Sequence, residues 1–395
     1  MPYLPLILIL VFPSAFFGFA DGQKVRAYLA FITHNYSEAF NVYANINDQS
    51  GLGMVSLAQN HPEQAWQYFH NVNDQSGMGL SLLARHDYDN AMKDFEVVND
   101  NRGMGLAYLA KHDYNNAFAA FSKANDWSGL GLIYLAQKDY KNAQKVFSQA
   151  QDLTGLGLCR LKEKQYEEAN QYFIQNKDIG GQGLVSLAQR DFVGALKSFQ
   201  QVNDSSGMGE VYMAQGNNQM AEYYFKQKND WNALGDLYSK EHRFADARAM
   251  FTKDYNPVKV LQSYRNDYTL KDPNGQAIAY GQQAISQGKM VPELLMEMAD
   301  AYYVMKKYPN AVQLLNRAMT YTGYASEAHL RKGRIYFYMR DLVHAQAEFA
   351  GVKESECINE LSYTEAQGAL VIIKQYNQAK VANVVQAAES FLRGT

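Results

Sequence analysis

Four histidines, His34, His86, His112 and His242, fall at one recurring position of this chain. A column of imidazoles with Asp87 and Asp113 beside it offers the donor types of a transition-metal site. Lys138, Lys164 and Arg190 stand at the same position in other copies, however, and a cation next to a helix C-terminus is favoured by the helix dipole. The column therefore reads as solvated turn residues, and no metal is expected. Glu167 with Glu168, and Glu354 with Glu356, are paired carboxylates of the kind a glycosidase uses, but they fall on polar helix faces or loops, with no cleft to set their separation. HExxH, GxSxG and Walker patterns are absent. The Gly-x-Gly run at Gly77-Met78-Gly79 follows no strand and lacks a third spaced glycine, so it is no dinucleotide fingerprint. Cys159 and Cys357 are the only cysteines, which excludes a CxxC metal or redox motif and a disulfide framework. The chain is expected to be no enzyme and to need no cofactor.

The aromatic residues suggest a different chemistry, stacking. Trp66, Trp127 and Trp231, together with many tyrosines, have the faces needed to stack on sugar rings. Tyr36, Tyr88, Tyr114, Tyr140 and Tyr166 form a recurrent column that reads instead as buried helix starts with their hydroxyls at the surface. Trp127 and Trp231 share another position, just after an Asn-Asp pair. These two, with Asn125, Asp126, Asn229 and Asp230, are the expected recognition residues; the alternative is that they are aromatics that merely fill a loop surface. The net charge of −3 gives no field to draw nucleic acid or an acidic membrane face, so nucleic acid is not an expected partner.

The elements that would position these residues come from a repeat. Gly77-Met78-Gly79-Leu80 returns as Gly103-Met104-Gly105-Leu106, Gly129-Leu130-Gly131-Leu132 and Gly155-Leu156-Gly157-Leu158, a step of 26 residues, and nine copies run from Val25 to Val258. One position is alanine in every copy, from Ala39 to Ala247. Four residues later comes an aromatic: Tyr43, then Phe69, Phe95, Phe121 and onward to Phe251. That spacing puts each pair on one helix face. A small residue upstream, such as Gly53, Gly79, Gly105, Gly131 or Gly235, accepts a helix-interior cost of up to ~1 kcal/mol against alanine, which predicts a crossing too tight for a Cβ. Asp87, Asp113, Asp139 and Asp191 are expected to cap second helices, and Asp74, Asp100, Asp126, Asp152, Asp178 and Asp204 to cap first helices. Each unit is then two helices of about 15 Å that cannot bury their apolar faces alone and must stack.

After Val258 the step becomes 34 residues, marked by Ala277, Ala311, Ala345 and Ala379, which gives four further units from Lys259 to Gly394. Asp272-Pro273-Asn274-Gly275 reads as a long turn inside the first of them, and the last unit is degenerate, as suits a C-terminal cap. Ala299 and Gly333 are followed by Tyr302 and Tyr336 three residues on, by Ala311 and Ala345 twelve on, and by Leu315 and Phe349 sixteen on. This pattern resembles the tetratricopeptide repeat, and Gly79, Ala91 and Phe95 keep the same offsets in the shorter copies. The resemblance implies an all-α, right-handed α-solenoid that binds extended peptides or partner proteins. The family's proline near the repeat end is replaced by Asn-Asp in most copies. The stack is expected to be rod-like, with a contour of roughly 120 Å.

Residues 1–20 stand apart. An apolar run from Leu4 to Phe12, broken only by Pro5, is followed by Gly18-Phe19-Ala20 ahead of Asp21, which reads as a signal peptide cut after Ala20. No basic residue precedes the run; Lys24 and Arg26 follow it, the arrangement of an uncleaved anchor holding the body in the cytosol. The expected function is an exported, periplasmic or secreted scaffold or adaptor that binds a protein or peptide. A cell-wall glycan-binding module and a membrane-tethered cytosolic adaptor are the alternatives, a membrane being involved only if the segment stays uncleaved.

Overall fold

The computed structural model describes residues 22–32, 35–321, 323–354, 357 and 360–393; the signal-peptide reading and His34 lie outside them. Among the described residues there are helices and no strands, and no helix is long and apolar enough to cross a membrane. The chain divides into two compact units: one holds residues up to Lys271 together with Gln283–Lys289, the other Asp272–Gln282 and the chain from Met290 onward.

In the first unit the 26-residue period has a simple composition. Helices such as Gln75–Ala84 and Tyr88–Val97 are ten residues long, and three residues separate most helices from the next; Tyr140–Ala150 and Asn218–Lys228 run one residue longer and leave two. The middle linker residue is left-handed in nearly every case, at φ 57° for His86 and 54° for Asn99. Its N–H donates to the carbonyl three residues back, as His86 does to Leu83 at 3.0 Å, and the next N–H reaches back five, Asp87 to Leu82 at 2.9 Å. These bonds satisfy the orphan carbonyls of the ending helix. The third linker residue caps the following helix: Asp74, Asp100, Asp126, Asp152, Asp178 and Asp204 each accept from a glycine N–H three residues on. Asp113, Asp139 and Asp191 cap second helices in the same way. Asp87 departs from the expectation. Its carboxylate makes no backbone cap bond and instead accepts from the Asn90 carboxamide at 3.0 and 3.1 Å.

The cap carboxylates also set the register between repeats. The second oxygen of Asp74 accepts from Ser50 at 3.1 Å, that of Asp100 from Ser76 at 2.8 Å and that of Asp152 from Ser128 at 2.9 Å. Arg102 pairs with Asp126 at 2.7 Å in place of a serine. One aspartate thus closes a helix start and ties it to the repeat before. Each hydrogen bond of this kind contributes about 1 kcal/mol.

The glycine columns meet an aromatic ring. A Cβ on Gly105 would stand 2.6 Å from the Phe121 ring, and one on Gly129 would stand 2.4 Å from the same ring. The tight crossing expected at this position is real, and its occupant is the phenylalanine held between two glycines of successive repeats. Phe95 lies likewise between Gly79 and Gly103, and Phe147 between Gly131 and Gly155. Gly105→Ala is therefore expected to destabilise the array by about 1–3 kcal/mol, because the Gly129 backbone is packed against the same ring and leaves it little room to yield. A urea melt that matches wild type would refute this packing.

The longer period is reached by lengthening the helices and one link. Pro292–Val304 and Ala325–Tyr338 are 13 and 14 residues long, and six residues, 319–324, join Tyr308–Ala318 to the next helix. The alanine and aromatic pair persists: Ala345 and Phe349 are buried, and a Cβ on Gly333 would stand 2.6 Å from Phe349. Two expectations change. Asp272-Pro273-Asn274-Gly275 is a helix start, since Pro273 opens the helix Pro273–Ser286 and Asp272 accepts from the Gly275 N–H at 2.9 Å. Proline at the first helical position loses no hydrogen bond, so the turn lies earlier, at 267–272. A single helix of 34 residues, Glu360–Arg393, ends the described chain, and Ala379 is exposed, unlike its buried counterparts Ala277 and Ala311. With neither aspartate nor proline in that stretch, nothing stops the helix and starts another.

Candidate functional site

The first unit is no rod. Link residues 168 to 170 positions apart touch one another, about six and a half of the short repeats. Asn60 donates its carboxamide N–H to the Asn229 carbonyl at 2.8 Å. The Asn229 carboxamide nitrogen lies 3.0 Å from His61 Nε2, and Lys228 donates to the Ala58 carbonyl at 2.8 Å. Cation–π contacts extend the line: Lys228 sits over Tyr36 at 4.4 Å and Arg85 over Tyr255 at 5.5 Å. Consecutive first helices also approach each other more closely than consecutive second helices, which puts the first helices on the inside of the curve. The small rotation that each repeat adds has brought the links of repeats 2 and 3 against those of repeats 8 and 9.

A cavity of about 330 Å³ opens on this seam, lined by residues 60–64 on one side and by Trp231, Lys253 and Tyr255 on the other. Trp231 opens the helix Trp231–Lys240 after the cap Asp230, which accepts from Ala233 N–H at 3.0 Å. Its ring lies 4.6 Å from the Lys253 ammonium. Tyr255 is itself a left-handed link residue, φ 54°. On the repeats leading to this seam, loss of hydration and the carboxylates of Asp230 and Asp204 push the Glu210 carboxyl up to about 7.

The expected recognition residues separate into two groups. Asn229, Asp230 and Trp231 stand at the seam, where Asn229 joins the two turns and Trp231 walls the cavity. Asn125, Asp126 and Trp127 lie four repeats earlier and do not meet them. Asn125 is a left-handed link, φ 53°. Asp126 is buried as a cap, accepting from Gly129 at 3.0 Å and pairing with Arg102. Trp127 is 47% exposed.

Sequence reasoning missed Asn60, His61, Lys253 and Tyr255. Their signal was slight: Asn60 occupies the column in which His86 and His112 recur, and Tyr255 the column in which asparagine recurs. His86, His112 and His242 of that column are left-handed link residues whose rings lean on the next helix start, His112 Nδ1 lying 3.1 Å from the Tyr114 hydroxyl. Among the described residues no group of three His, Cys, Asp or Glu could hold a metal. Cys159 is a buried free thiol.

This geometry defines an all-α solenoid of tetratricopeptide-like repeats. The family model described as tetratricopeptide repeat matches residues 127–155, a stretch that begins at Trp127 and spans one helix pair. A comparison with curated proteins finds no match. Among solved structures, yeast Tom70 is similar at 13% identity and TM-score 0.49, over 92% of this chain and 98% of that one. The APC/C hetero-tetramer Cut9-Hcn1 is similar at 13% identity and TM-score 0.35, over 89% and 95%. Naa15/Naa10 bound to HypK-THB is similar at 13% and 0.29, over 90% and 66%. At these scores the likenesses say nothing of partner or process.

Proposed function

We propose that this chain is a non-catalytic scaffold, exported to the cell envelope, that holds a protein or peptide partner along its repeats. The observation that carries the reading is the contrast between two kinds of position. The alanine and aromatic columns keep their type in all nine short copies, the glycine column in eight with Ala27 in the first, and all are buried, so they serve packing. The residue opening each first helix varies from copy to copy, and at two of these positions it is a tryptophan, one half-exposed and one lining a cavity. Aromatic anchors in or beside pockets supply most of the affinity of protein interfaces. The reading of Gly18-Phe19-Ala20 as a cleavage site supports export.

The test is a pull-down from envelope extract with the chain, alongside Trp127→Ala and Trp231→Ala. A stoichiometric protein partner is expected, with recovery reduced at least about tenfold in one of the variants. Trp127→Ala is expected to leave the melting curve within about 0.5 kcal/mol of wild type, as befits a surface position. Retention on insoluble cell-wall polymer with no protein recovered would replace this reading with a glycan-binding module. An intact mass that includes residues 1–20 would point to the membrane-tethered adaptor.

A further inference from the structure

Three cations gather on the seam with aromatic faces, not carboxylates, as their described contacts. Arg85 lies 5.5 Å and Lys289 5.4 Å from the Tyr255 ring, and Lys253 lies 4.6 Å from Trp231. They come from three separate parts of the first unit: the link inside repeat 3, the end of repeat 9 and the segment Gln283–Lys289. That segment is set close against repeat 3, since a Cβ on Gly288 would stand 3.1 Å from the Asp89 carboxylate. Lys289 is fixed there by its N–H bond to the Ala284 carbonyl at 3.0 Å.

The nearby acids make no ion pair with these three cations among the described contacts. Asp89 pairs with Lys111 at 2.6 Å, Asp87 accepts from Asn90, and Glu63 is exposed at the far side of the cavity. Arg85 Nε is buried with no hydrogen-bond partner among the described residues. A buried guanidinium N–H left unpaired is costly, and in native proteins it calls for a ligand or ion. Burial holds the Lys289 ammonium below its ordinary range; Asp87 opposes this, and the smaller effect of the Arg85 charge adds to it. Burial, with Lys289 beside it, pushes His86 down to about 3, so that histidine adds no charge at neutral pH.

We propose that Arg85, Lys289 and Lys253 form a binding site for a small oxyanion, which sits beside Tyr255 at the end of the seam cavity. An oxyanion there would satisfy Arg85 Nε, relieve the repulsion between Arg85 and Lys289, and tie repeats 3 and 9 together. The guanidinium gives the site directional donors, and the two ammonium groups supply charge. The site is independent of whether a protein partner binds elsewhere on the repeats.

The experiment is calorimetric titration of the full chain with inorganic phosphate, sulfate and acetate, each at ionic strength matched with sodium chloride. Saturable binding of at least one of them is expected, and the strongest of the three distinguishes a tetrahedral from a carboxylate ligand. Arg85→Gln and Lys289→Gln are each expected to weaken it at least about tenfold, and Arg85→Lys to weaken it less. Should Arg85→Gln fold poorly, Lys289→Gln, on the segment outside the short repeats, carries the test. Heat that follows ionic strength alone, or affinity unchanged in Lys289→Gln, overturns the proposal.

Discussion

Phe121→Ala is expected to lower the stability of the array by about 3–5 kcal/mol, the largest effect of any single truncation in the short repeats. The ring is fully buried and lies between the backbone faces of Gly105 and Gly129. A cavity costs most where the surroundings cannot collapse into it. Here the two nearest walls are glycines, with no side chain to turn inward, and both are held in helices. The same geometry predicts a partial rescue. Adding a methyl at Gly105 damages the wild type but fills space in the truncated protein, so Gly105→Ala should be less harmful, or even stabilising, beside Phe121→Ala. Urea denaturation of the two single variants and the double variant gives the coupling. Strict additivity would mean that the ring and the glycine do not share one space.

The second large effect is expected at Asp267. This aspartate is 3% exposed. It accepts from Arg248 at 2.7 Å and from the Thr269 backbone N–H at 3.1 Å. Arg248 belongs to the helix Phe244–Lys253 of the ninth repeat, and Asp267 ends the helix Pro257–Asn266, so the pair ties the last short repeat to the helix that follows. Truncating one partner of a buried pair leaves the other charge uncompensated, and Asp267→Ala is expected to cost about 3 kcal/mol. Burial alone would raise the Asp267 pKa, but the Thr269 hydroxyl, Arg248 and the Thr269 N–H together outweigh it and hold the carboxyl below its ordinary 3.8. A depressed folded value means that the stabilisation is complete above the unfolded value and fades as pH falls through the folded one. The gap between wild type and Asp267→Ala should therefore be full at pH 7 and shrink in acid below the ordinary aspartate value. A gap that is the same at both ends of that range would show that the charge of Asp267 contributes nothing.

Cost at Phe121 and cost at Asp267 differ in how readable they were. The alanine and aromatic columns were legible because packing demands the same kind of side chain at every copy, and nine repetitions separate a requirement from an accident. The N-cap aspartates were legible for the same reason, apart from Asp87, whose carboxylate a neighbouring carboxamide captures. The left-handed link was present but unread. Asn47, Asn73, Asn99, Asn125, Asn203 and Asn229 all precede a capping aspartate or its equivalent and all have positive φ. Asparagine tolerates that region better than other residues with side chains, so the Asn-Asp pair was a statement about backbone shape before it was one about recognition. The Arg248–Asp267 pair gave no signal, because it occurs once, where the period changes.

By itself the sequence determined the helix pairs, their two periods, the caps and the buried columns. These are local or nearest-neighbour properties, and each 26-residue copy contains all the information needed to specify its own contacts with the next. Whether the first unit would run straight or close on itself was decided only by tertiary structure. A slight rotation between neighbours leaves no mark on any one repeat, yet it accumulates over about six and a half of them until Asn60 meets Asn229 and Arg85 meets Tyr255. The seam, its cavity and the cations around it exist because of that sum, and pairs 168 to 170 residues apart in the chain cannot be recognised from a pattern whose period is 26.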